Sequence, residues 1–121
     1  MNKTLIKKKY DYLFKLHQYL LDNWKDTILN SNQKISICIL RAKLGIYAGL
    51  LNSNKEQYDI GITKFIEYSS ESIELSNDVE VKIINMSFTF TNYENSEGKR
   101  QLSLILKRQY DIYISLGKEI F

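Results

Sequence analysis

The apolar residues of this 121-residue chain fall into blocks separated by short polar breaks. The breaks are Asn30-Ser31-Asn32, Asn52-Ser53-Asn54, Ser76-Asn77-Asp78 and the stretch from Asn92 to Gly98. Asn, Ser, Asp and Gly interrupt regular structure through local side-chain hydrogen bonds or backbone freedom. Proline is absent, so no block is cut by a missing N–H. The five blocks that result are longer than typical strands.

The first block, about 3–29, places Ile6, Tyr10, Leu13, His17, Leu20, Trp24 and Ile28 on one face and predicts an amphipathic helix. The second, 35–51, is apolar on every side. Ile37, Leu40, Leu44, Tyr47 and Leu51 form one strip, and Ile35, Ile39, Ile46 and Leu50 another. A helix apolar all round belongs at the centre of a fold. Cys38, Ala42, Gly45 and Gly49 form a third strip of small side chains, against which a second backbone can come close. That neighbour is either another helix of the chain, through Gly61, or a second copy of the protein. Asn32 is placed to cap this helix.

The third block, about 54–77, opens with Asn54 and Gln57, which approximate a capping box. Tyr58, Ile62, Phe65, Ile66, Ser69 and Ile73 form its apolar face, and Glu67, Glu71, Glu74 and Asp78 an acidic stripe. The fourth block, 78–93, reads two ways. Val79, Val81 and Ile83 alternate as in a strand, while Val79, Ile83, Met86 and Phe90 share a helical face. The fifth, 99–120, is similar: Leu102, Leu104 and Leu106 alternate, yet Leu102, Ile105, Leu106, Gln109, Tyr113 and Leu116 share a helical face. The pattern predicts a single all-α domain over 1–121, a compact four- or five-helix bundle with helix 35–51 central. The alternative is an α+β fold with a hairpin formed by about 79–91 and 101–116.

Composition supports a packed core. The chain is 44% hydrophobic and 26% charged, values of a globular protein rather than a disordered one. A single cysteine excludes an internal disulfide and a cysteine-cluster metal site, so Cys38 reads as a small core residue. Lys3, Lys7, Lys8 and Lys9 are not followed by the apolar run of a signal peptide, and 35–51 carries Arg41 and Lys43 near its middle. The expectation is a cytoplasmic protein with no membrane partner.

Catalytic templates fail on inventory. With one histidine there is no His pair for zinc, and no glycine-rich phosphate loop is present. A Cys38–His17 nucleophile pair is conceivable only because both residues exist; His17 lies on an apolar stripe and reads as a boundary histidine holding a hydrogen bond. No Glu-x-x-His motif accompanies the carboxylates. The chain is expected to be no enzyme, with no cofactor and no metal.

Charge is the remaining signal. The net charge is +3, carried mostly by lysine rather than by arginine. Carboxylates spaced four apart on a helix repel by about 0.2–0.5 kcal/mol per pair. Such a cost held along one face marks Glu67, Glu71, Glu74 and Asp78 as a docking site for a protein partner with a basic surface. The expected function is a small non-enzymatic protein that binds and blocks or modulates another macromolecule. Abundant Ile, Lys, Asn and Tyr with scarce Ala suit an AT-rich genome, hence an inhibitor, immunity or anti-defence factor of a bacterium, phage or mobile element. The alternative is nucleic-acid binding by Lys7, Lys8, Lys9, Lys99, Arg100, Lys107 and Arg108, with Tyr10, Tyr12 and Tyr110 beside them. A third reading is a homodimer or larger homo-oligomeric structural subunit.

Overall fold

The computed structural model describes residues 3–75, 81–83, 88–90 and 96–121. Four helices carry the fold among them: α1 (Lys3–Trp24), α2 (Ser31–Leu51), α3 (Lys55–Leu75) and α4 (Ser96–Ile120). Between α3 and α4 lie two short strands, β1 (Val81–Ile83) and β2 (Phe88–Phe90), paired antiparallel with Val81 opposite Phe90. The all-helical bundle is therefore the architecture. The alternative hairpin is not: 101–116 lies wholly within α4, and the small hairpin that exists is made inside the fourth block alone.

α2 is the centre, as its pattern demands. It contacts α1, α3, α4 and β1. Leu40, Ile46 and Leu50 are fully buried, and Ile35, Ile39 and Tyr47 nearly so. The amphipathic partners each contribute one stripe: Ile6, Leu13 and Leu20 from α1, Tyr58 and Phe65 from α3, and Leu102, Leu106 and Tyr113 from α4. α1 stops at Trp24, short of the 29 its pattern suggests. Ile28, expected on its buried face, stands 97% exposed in the connection that follows.

α2 starts earlier than its apolar run. Asn30, not Asn32, is the N-cap: its side chain accepts from the Gln33 N–H at 2.8 Å, and the Gln33 side chain accepts from the Asn30 N–H at 3.0 Å. This reciprocal box satisfies two donors that the first turn leaves without helical partners. The other end closes as a Schellman motif. Ser53 adopts a left-handed φ of 51°, its N–H donates to Leu50 O, and the Asn54 N–H donates to Gly49 O at 2.8 Å. Asn54 then begins α3 by accepting from the Gln57 N–H at 3.0 Å.

The small strip of α2 faces α3 of the same chain. A Cβ on Gly49 would sit 2.6 Å from the Tyr58 nitrogen, and one on Gly61 would sit 2.9 Å from the Ile46 nitrogen. Tyr58 in turn reaches α4, where its hydroxyl donates to Tyr113 O at 2.8 Å over the bare Cα of Gly117.

Candidate functional site

The inward stripe of α3 is Tyr58, Gly61, Phe65, Ser69 and Ser72, all buried. Helical spacing then turns Ile60, Lys64, Glu67, Glu71 and Glu74 outward, and all five are exposed. Three of the four predicted partner-binding carboxylates thus share one solvent-facing stripe; Asp78 lies outside the described residues. Glu67 is paired with Lys64 at 3.5 Å, a contact between half-exposed groups that leaves the stripe acidic.

Along this stripe, the close approach of α2 and α3 leaves a groove. It has two hollows of about 630 and 570 Å³ that share Cys38. The first is lined by Arg41, Gly45, Ile60 and Lys64, the second by Lys34, Ile35, Glu71 and Glu74. Cys38 is half-buried here rather than in the core, at the point where the two hollows meet.

His17 sits at the boundary, as its position on the stripe suggests. Its Nε2 accepts from Arg41 Nε at 3.1 Å, which leaves the ring proton on Nδ1. Partial burial, and then the Arg41 charge, push its pKa below the usual histidine value. Among the described residues no hydrogen bond joins His17 to Cys38; the ring's partner is Arg41. Nor does any group of three or more His, Cys, Asp or Glu side chains among them stand close enough to hold a metal ion. No helix of the described residues is long and apolar enough to cross a membrane.

The basic residues divide rather than converge. Lys7 pairs with Asp11 at 2.6 Å, while Lys8 and Lys9 line a hollow toward α4. Lys107 pairs with Asp111 at 3.6 Å and borders a different hollow, between α3 and α4. Arg108 is exposed beside it, and Lys99 and Arg100 belong to the opening turns of α4.

One residue with chemistry is missed by the sequence pattern as read above. Lys43, in the middle of α2, is buried. Its signal is present: Leu40 and Tyr47, three before and four after it, are both apolar, so helical geometry puts the lysine on an inward face. Compared with protein-family models, with curated proteins and with solved structures, the chain matches none.

Proposed function

We propose that the protein works by binding, not by catalysis, and that the outer face of α3 docks a basic surface of a protein partner in the cytoplasm. The observation that carries this reading is the exposure of Glu67, Glu71 and Glu74 on one stripe, with Ile60 and Ile66 exposed beside them. Carboxylates steer a basic partner and fix its register, and exposed aliphatic side chains add area that gains from burial. Covering the partner's basic surface would block or modulate it, the action of an inhibitor, immunity or anti-defence factor. The AT-rich residue bias suits a bacterial or phage source for such a factor.

The test is a triple charge reversal, Glu67→Lys, Glu71→Lys and Glu74→Lys. These side chains are exposed, so the helix content read by circular dichroism is expected to stay unchanged. Proteins from a host lysate held by the wild-type chain at physiological salt are expected to be lost from the variant. Retention of every one of them overturns the proposal.

A further inference from the structure

α1 and α4 both lean on α2, and between them lies a cavity of about 330 Å³. Lys43 lines it and is only 2% exposed. Facing Lys43 are Lys8, Lys9 and Tyr12 of α1, Tyr47 of α2 itself, Phe65 of α3, and Gln109 and Tyr113 of α4. None is a carboxylate. Asp11 and Asp111, on adjoining turns, are held by Lys7 and Lys107.

Lys43 makes no ion pair or hydrogen bond among the described residues. Its ammonium stands 5.8 Å from the Phe65 ring centre and 6.0 Å from that of Tyr113. Ring faces attract a cation but do not take up its three N–H donors. A buried cation normally has a paired anion or gives up its proton. Burial alone holds the Lys43 amine at about 7, so near neutral pH the group is poised between the two.

We propose that the seam between α1 and α4 is a binding pocket for a small organic anion, whose carboxylate or phosphate oxygens meet Lys43 at the floor and Lys8 and Lys9 at the mouth. The volume is at the small end of ligand sites, about 300–1,000 Å³, which suits a body of roughly one ring. Tyr12 and Tyr47 offer that body apolar faces with polar tips. The anion brings what the fold leaves out: acceptors for the ammonium, and a charge that keeps it protonated. This pocket uses different residues from the acidic face of α3, so either proposal can fail alone.

The test uses the full chain at low ionic strength, with benzoate and phenyl phosphate as probes and the Lys43 side-chain NMR signals as the readout. Each probe that binds is expected to raise the pKa of Lys43 toward the ordinary lysine range. Its affinity is expected to fall by about tenfold per pH unit above neutrality, as the free amine loses its proton. Lys43→Met, which keeps an unbranched chain, is expected to lose at least about tenfold in affinity, since hydrogen bonds to a charged group are the strong ones. Lys8→Ala with Lys9→Ala, whose ammoniums stay in solvent, is expected to lose less. A preference for either probe supports the pocket and assigns its headgroup. Unmoved Lys43 signals with both probes, or equal binding by Lys43→Met, overturn the proposal.

Discussion

On one flank of α2, Ala42, Gly45 and Gly49 let α3 approach until backbone meets backbone. On the other, Lys43 and Tyr47 face a cavity across which α1 and α4 stay apart. The helix is the same and its neighbours are all amphipathic, so the difference lies in the side chains between them. Where these are small, the backbones meet and the hollows lie outside the contact, along the exposed side of α3. Where a long cation stands among rings, the helices cannot close over it without removing it from all solvent. A tight seam gives stability, and a held-open one gives a place for a ligand at a cost in stability.

That cost is the largest effect with which to break the comparison. Lys43 titrates at about 7 in the fold against 10.5 when exposed. As pH falls through the upper value, the unfolded chain takes up a proton that the folded one refuses, and stability drops until about pH 7. From about pH 7 to about pH 9.5, wild-type stability is therefore expected to rise by about 3 kcal/mol relative to Lys43→Met. Urea denaturation at stepped pH measures this. Burial raises the pKa values of Tyr47, Tyr58 and Tyr113, an effect that enters only above this window. Parallel profiles for the two proteins would mean that the seam is no costlier than the tight flank.

The next test is on the small strip. Gly49→Ala puts a methyl group 2.6 Å from the Tyr58 nitrogen and 2.8 Å from its Cα, atoms of a helix that cannot step aside locally. Overpacking of this kind costs about 1–3 kcal/mol and outweighs the gain of up to about 1 kcal/mol from helix propensity. Gly45→Ala is the internal control, because its nearest neighbour is the Gly61 Cα at 3.9 Å, an ordinary contact. It is expected to be neutral or stabilising in the same denaturation assay. If both variants lose stability equally, closeness is not what the strip is for.

The smallest effect sharpens the picture at the turn that joins α2 to α3. Ser53 holds a left-handed φ of 51°, which glycine adopts without steric penalty. Ser53→Gly is expected to raise the melting temperature by a few degrees, equivalent to about 0.5–1 kcal/mol. The exposed 3.4 Å contact from Lys3 to the Ser53 hydroxyl is too weak to reverse that sign.

The legible parts of this fold are those that a single period describes. The small strip and Gly61 can be matched from sequence because glycines at helical spacing lower helix propensity and are tolerated where two backbones must come close. The fourth block satisfies two periods at once in the sequence, since Val79 and Ile83 belong to both the alternating set and the helical face, and over 81–83 and 88–90 the hairpin prevails. Asn32 looks like the cap when the helix is measured from its apolar run, while the Gln33 side chain that selects Asn30 lies before that run. The acidic stripe can be placed, except for Asp78, because exposure follows from the face opposite Tyr58, Phe65 and Ser69. Lys43 is hidden by its type: a lysine reads as outward, although Leu40 and Tyr47 at helical spacing place it on an inward face, where rings of three helices gather around it.

Asn54 belongs to two helices at once, completing the close of α2 with its N–H and starting α3 with its side chain. The connection therefore works as a gauge block. One residue added there would turn α3 by about 100° about its own axis, since a helix has 3.6 residues per turn. Gly61 would leave Ile46, Tyr58 would leave Gly117, and the carboxylates now outside would swing toward the core. The phase of one turn thus sets both how closely α2 and α3 mesh and which face of α3 meets the outside world.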